Sequence, residues 1–177
     1  VKRIVSSKSH EEFGVLYDRY SEKVYHKCIS FVHDLDLAQD LAHDIFLKTF
    51  LSLSKFNFQS RFSTWLYSIT YNFCVDYVRK NNKIRVESDE GLADIPDSDD
   101  ARNREDLLKI EADRLKRVLD TIPVNQKMIL LMKYQDDMSI ADMMVSLEAN
   151  ESAIKMRIKR ARASAMETYQ NLFKDAG

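Results

Sequence analysis

The chain has 177 residues, 45% hydrophobic and 31% charged, with a net charge of −1. This is a globular composition, long enough for one ordinary domain or two small ones. Three glycines and two prolines are too few for the tight hairpins of a sandwich or barrel, and point to helices.

Other classes fall away on similar grounds. No apolar run approaches the roughly 18 residues of a spanning helix, and Val1-Lys2-Arg3-Ile4 lacks the apolar core of a signal peptide. Gly14, Gly91 and Gly177 cannot form a phosphate-cradling loop. Cys28 and Cys74 stand alone, which fits two reduced thiols in a cytoplasmic protein.

Charge divides the chain into three parts. Residues 1–83 carry 12 Lys/Arg against nine Asp/Glu, and residues 107–177 carry 12 against ten. Between them, residues 84–106 hold three arginines against nine acids, with Gly91, Pro96 and Ser98 and almost no large apolar side chain. Such a stretch buries too little surface to offset its ordering entropy and reads as a flexible tether. It is either a solvated spacer or an anionic strand for a partner's basic groove.

In the first part, Phe13, Leu16, Tyr17, Tyr20, Val24, Cys28 and Val32 recur at three- and four-residue steps, predicting a helix over about 11–33. A break at Asp34–Asp36 precedes a second helix with Leu37, Leu41, Ile45, Thr49 and Leu53 inward and Gln39, Asp40, His43, Asp44 and Lys48 outward. A third runs from about Ser63 to Lys80, capped by Ser63 or Thr64. Its apolar stripe is Trp65, Leu66, Ile69, Phe73 and Tyr77, but Tyr67, Tyr71 and Val78 lie off it. A helix apolar nearly all round is either buried or built to receive something flat. Its one polar ridge is Ser68, Asn72 and Asp76, followed by Arg79 and Lys80.

Ten of the eighteen aromatic residues fall between Phe46 and Tyr77, interrupted by the polar loop Asn57-Phe58-Gln59-Ser60-Arg61. Rings beside amides and arginine suit unpaired nucleic acid, where stacking contributes roughly 1–3 kcal/mol per base. Plain core packing is the competing account, and the better one for Phe46, Phe50, Phe62, Trp65 and Phe73. The loop and the Asn72 ridge are the better candidates for binding.

In the last part, a helix from Leu107 to Ile122 turns Leu108, Leu115, Val118, Leu119 and Ile122 inward and ends at Pro123. An apolar helix follows through Met128–Tyr134, then a capped start at Ser139-Ile140-Ala141-Asp142 for a helix ending near Leu147. Asn150 caps a last helix reaching about Phe173. Two helices across so short a turn form a helix-turn-helix, whose second helix enters the major groove. At 100° per residue Ile154, Ile158, Ala161 and Ala165 share one arc. Ser152, Met156, Lys159, Arg160 and Ala163 lie opposite, with Lys155 at the edge. That basic face either reads DNA or is merely solvated.

These residues resemble a family, the bacterial RNA polymerase sigma factors of the small, two-domain extracytoplasmic-function (ECF) class. The resemblance is carried by Asp36–Phe50, Phe62–Arg79 and the run from Ile122-Pro123 through Ser139–Asp142 to Ile154–Arg162. It implies an all-α fold of two small helical domains, 1–83 and 107–177, joined by the acidic linker 84–106. It also implies a non-enzymatic role without cofactor or metal, with core RNA polymerase, promoter DNA (duplex and single-stranded) and an anti-sigma factor as partners, and no membrane insertion.

By the same resemblance, Gln39, Asp40, His43, Asp44 and Lys48 dock on the polymerase. Asn57, Phe58, Gln59, Ser60 and Arg61, with Ile69, Asn72 and Asp76, hold an extruded minus-ten base, and Arg79 and Lys80 sit near phosphate. Ser152, Lys155, Met156, Lys159 and Arg160 lie on the face that reads the minus-thirty-five duplex. The tether would run into the polymerase's RNA path. The chain departs from the family in having Glu148 where glycine is usual at the turn, Met144 where a small residue is usual and Met156 where serine is frequent.

Two rivals come from other classes. A free-standing helix-turn-helix regulator accounts for the last part but leaves the aromatic loop and the Gln39–Lys48 face unexplained. Asp40-x-x-His43 is half of a carboxylate–histidine metal site, with no second half in the sequence. The small net charge also predicts feeble DNA binding by the isolated chain, affinity coming mainly from a complex with polymerase.

Overall fold

Low glycine content and three- to four-residue apolar spacing resolve into seven α-helices in the computed structural model, which describes residues 10–87 and 104–174. No strand occurs among the described residues. Three helices form the first lobe: α1 His10–Val32, α2 Leu35–Ser52 and α3 Phe62–Glu87, with a 3-10 turn at Leu53–Lys55 after α2. Asp34 caps α2, its carboxylate accepting from the Leu37 N–H at 2.9 Å. Leu16, Val24 and Cys28 of α1, Leu41 and Ile45 of α2, and Leu66 and Cys74 of α3 form the centre of this lobe. The Cys28 and Cys74 sulfurs are 3.8 Å apart as buried free thiols.

The second lobe holds α4 Arg104–Thr121, α5 Val124–Leu130, α6 Ile140–Ser146 and α7 Glu151–Phe173. A π turn, Leu131–Gln135, extends α5, closed by the Asp136 N–H on the Leu131 carbonyl at 3.1 Å. Ser139 and Asp142 make a reciprocal capping box at the start of α6, and Asn150 caps α7 through the Ala153 N–H at 2.8 Å. Ile154 and Ala161 bury the inner face of α7.

Four sequence expectations need correction. The tether expected over 84–106 is helical at both ends, since α3 continues to Glu87 and α4 starts at Arg104; its reading as a spacer or anionic strand falls mainly on residues 88–103, outside the described residues, as do Val1–Ile4. α3 starts at Phe62, with the Trp65 N–H on the Arg61 carbonyl at 3.1 Å, so Ser63 and Thr64 lie inside the first turn rather than at the cap. Leu108 and Leu115 are 68% and 58% exposed. Val118 and Ile122 are buried and Leu119 is half-buried, as expected, and the half-buried Arg114 holds its guanidinium 5.3 Å from the Phe173 ring of α7.

The fourth correction concerns α3, and it has a structural cause. Its fully buried residues are Leu66, Thr70, Tyr71 and Cys74, whereas Trp65, Ile69, Phe73 and Tyr77 are half-buried. α3 is covered on one side by α1 and α2 and on another by α5 and α6 of the second lobe. A helix covered on two sides has no single apolar stripe, and Tyr71 and Ser68 face the other lobe.

Candidate nucleic-acid interface

The loop between α2 and α3 is built on aromatic packing. Phe56 is buried with its ring 5.7 Å from Phe62 and 5.1 Å from Trp65. This leaves Phe58, 4.7 Å from Phe56, on the outside at 44% exposure. Phe58 has φ 61, a left-handed conformation unfavourable for an L-residue by roughly 1 kcal/mol or more. Asn57 helps shape the turn, its side-chain oxygen accepting from the Gln59 N–H at 3.2 Å. Phe58, Gln59, Ser60 and Arg61 line a cleft of about 590 Å³ with Ser63, Thr64 and Tyr67 of α3. The opposite wall, Asp136–Asp142, belongs to the second lobe.

A second cleft, of about 460 Å³, gathers Asn72, Asp76 and Arg79 from α3 opposite Arg157 and Arg160 from α7. Arg160 therefore sits apart from the other residues expected to read duplex DNA. Glu151, Ser152, Lys155, Met156 and Lys159 share a separate outer groove. Ile69 is half-buried, and Lys80 is exposed outside the Asn72 cleft. On α2, Gln39, Asp40, His43, Asp44 and Lys48 are all exposed, in line with their spacing. Leu47 and Leu51 are exposed on the same helix, and the Lys48 ammonium lies 5.4 Å from the Phe73 ring centre.

The turn before α7 is left-handed at a residue other than glycine. Glu148 takes φ 46, and the Ala149 N–H reaches back to the Met144 carbonyl at 3.1 Å, the long bond of a Schellman helix end. Met144 is half-buried, packed against the core.

The sequence reading missed the polar seam between the lobes. Lys27 of α1 is buried, yet its ammonium lies 2.5 Å from Asp136 Oδ1 and 3.1 Å from the Tyr71 hydroxyl. That hydroxyl donates to Asp136 Oδ2 at 2.6 Å. Burial lowers the Lys27 pKa, an effect that Asp136 opposes. Burial and then the Asp136 charge push the Tyr67 hydroxyl up to about 12, and the same two causes, with the Asp136 hydrogen bond, raise Tyr71.

Nearby, Lys127 donates to the Ser30 carbonyl and to Asp120 Oδ1, the latter at 2.5 Å, and His33 Nε2 lies 3.2 Å from the same Asp120 oxygen. Ser68 and Ser146 hydroxyls meet at 2.5 Å, and Asn72 donates to the Ser146 carbonyl at 3.5 Å. One signal was available: Lys27 interrupts an otherwise apolar face formed by Val24, Cys28 and Phe31.

Among the described residues no group of three or more His, Cys, Asp or Glu side chains could hold a metal, and no helix is long and apolar enough to cross a membrane. A helix-turn-helix lobe beside a lobe carrying an aromatic loop is an architecture for two contacts with nucleic acid.

Comparison with known proteins agrees. Residues 16–84 match the family model for sigma-70 region 2, and residues 112–164 match that for sigma-70 region 4. The ECF RNA polymerase sigma factor SigW of Bacillus subtilis is 24% identical over 181 residues, 97% of each chain. The RNA polymerase sigma-H factor of Pseudomonas aeruginosa is 27% identical over 93% of this chain and 89% of its own. In fold, the chain is similar to the sigma factor RpoE of Bartonella quintana, solved in complex with the anti-sigma factor NepR. The TM-score is 0.63 at 21% identity, covering 90% of this chain and 98% of that one. The chain belongs to the RNA polymerase sigma factors of the sigma-70 type, in their ECF class. A free-standing regulator is not favoured, because the region 2 match covers the lobe which that reading leaves unexplained.

Proposed function

We propose that this sigma factor docks on core polymerase through Gln39, Asp40, His43, Asp44 and Lys48. It holds an unpaired minus-ten base between the Asn57–Arg61 loop and the Ile69, Asn72 and Asp76 face of α3, with Arg79 and Lys80 near phosphate. Ser152, Lys155, Met156, Lys159 and Arg160 meet the minus-thirty-five duplex. Residues 1–83 and 107–177 act as the two promoter-contacting domains, joined by 84–106. The observation that carries this reading is Phe58, a ring held outward over a cleft, beside Arg61, by a left-handed backbone and a buried aromatic base. Core packing does not account for that placement, and stacking on an extruded base does.

Capturing the base offsets an unstacking cost of a few kcal/mol, so differential affinity drives strand opening and the chain itself performs no chemistry. It works in the cytoplasm, alongside the polymerase. The fold shared with an anti-sigma-bound RpoE supports an anti-sigma protein as a further partner. Run-off transcription with core polymerase and a promoter library tests the reading, with transcripts from a discrete promoter set expected only when the chain is present. Asn72→Ala is expected to weaken open-complex formation more than polymerase binding; the reverse order removes Asn72 from the base site.

A further inference from the structure

We propose that Lys27 and Tyr71 form a phosphate subsite for the melted promoter strand, which Asp136 occupies as a built-in substitute while the lobes are closed. The inference rests on the promoter reading above and adds residues that it does not use.

The chemistry of the centre is that of an anion receptor. The Lys27 ammonium addresses one oxygen of the Asp136 carboxylate and the Tyr71 hydroxyl the other, at 2.5 and 2.6 Å. The two donors lie 3.1 Å apart, and the ammonium also sits 4.3 Å from the Tyr67 ring centre. A charged donor and a neutral one directed at two oxygens of a single anion serve a phosphodiester as well as a carboxylate. Both donors belong to the first lobe, while the anion comes from the second, 109 residues further on. The second ionic contact of the seam differs: Lys127 brings its own carboxylate, Asp120, from its own lobe and meets a backbone carbonyl of the first. Parting the lobes there leaves Lys127 with its counter-ion, and breaks only the partly exposed His33–Asp120 contact.

Location ties the centre to the strand. Asp136 lines the same cleft as Phe58, Arg61, Thr64 and Tyr67. Every nucleotide carries a phosphate, so a base stacked on Phe58 brings its backbone into this cleft.

The closed arrangement cannot persist on a promoter. Elements centred near minus ten and minus thirty-five lie roughly 25 base pairs apart, about 85 Å of duplex at 3.4 Å per pair. Here the lobes touch, with the Ser68 and Ser146 hydroxyls at 2.5 Å. Binding both elements separates them and removes Asp136 from Lys27. Lys27, buried while the lobes are closed, is then left facing the opened cleft without its counter-ion. A strand phosphate entering from the adjoining cleft restores the charge balance, so opening and capture become coupled.

The test uses holoenzyme and a forked probe carrying a promoter selected by the wild-type holoenzyme in run-off transcription. Asp136→Asn, Lys27→Gln and the double variant are titrated against the probe over a range of salt concentrations, with thermal melting as the folding control. In the Asp136→Asn background, Lys27→Gln is expected to lower affinity about tenfold and to reduce the salt slope by about 0.7, the value of one single-strand phosphate. If affinity and slope are the same with and without Lys27 in that background, Lys27 is only the counter-ion of Asp136 and the inference is overturned. Should Lys27→Gln fail to fold, Tyr71→Phe in the same background decides, with about threefold weaker binding expected and equal binding overturning the proposal. A wild-type holoenzyme that selects no promoter overturns the promoter reading and this inference together, an outcome distinct from promoter binding that is indifferent to Lys27.

Discussion

Glu151 and Lys155, one helical turn apart at the start of α7, form an ion pair with 2.5 Å between Oε1 and Nζ. The hydrogen bond from Lys155 holds the Glu151 carboxyl below its usual range, and both side chains are exposed. In the proposed role, Lys155 would meet duplex DNA already partnered and would have to exchange a carboxylate for a phosphate. Glu151→Gln removes the competitor and a negative charge from the groove. It is expected to tighten minus-thirty-five binding by holoenzyme about two- to fivefold at low salt, with the gain shrinking as salt screens the pair. Fluorescence anisotropy with a duplex probe reads this directly, and equal affinity of the two proteins would show that Lys155 does not contact the phosphates.

Glu148 takes the left-handed conformation that glycine adopts without a Cβ penalty. Glu148→Gly is expected to stabilise the second lobe by about 1 kcal/mol, offset in part by the greater freedom of glycine in the unfolded chain. A higher urea midpoint with an unchanged slope is the expected signature. A lower midpoint would mean that the Glu148 side chain contributes more than its backbone costs.

The seam tyrosines make stability depend on pH above about 10. Unfolded tyrosines ionise near 10, whereas folded Tyr67 keeps its proton to about 12 and Tyr71 is raised in the same direction. Over that window the folded chain binds more protons than the unfolded one, so stability falls as pH rises. Lys27, lowered from 10.5, acts oppositely: the unfolded chain holds a proton that the folded chain has released, and stability rises until about 10.5. Two tyrosines outlast one lysine, so melting temperature is expected to fall steadily above about pH 10.5. Tyr71→Phe should flatten that fall in thermal melts across the range. An identical profile in the variant would assign the alkaline loss to other groups.

The parts of this molecule that local chemistry dictates were legible in its sequence. Asn150 and the Ser139–Asp142 box mark the starts of α7 and α6 because caps act over three residues. The exposure of Gln39, Asp40, His43, Asp44 and Lys48 and the burial of Ile154 and Ala161 follow from helical period alone. What needed the second lobe could not be read. Tyr71 and Ser68 are buried because α5 and α6 cover them, and no periodicity in α3 encodes that cover. The Lys27–Asp136 pair spans 109 positions, beyond any spacing argument. Leu108 and Leu115 are exposed, whereas the half-buried Arg114 packs its stem and charge toward Phe173.

The π turn at Leu131–Gln135 gives the seam an unusual dependence on length rather than on chemistry. Such a turn holds one residue more than an ordinary helical turn, and it precedes Asp136 directly. Deleting the exposed Tyr134 would leave every charge in the chain intact while drawing the π turn back to an ordinary helical one. The placement of the Asp136 carboxylate against α1 is thus tied to the number of residues before it as well as to the groups around it.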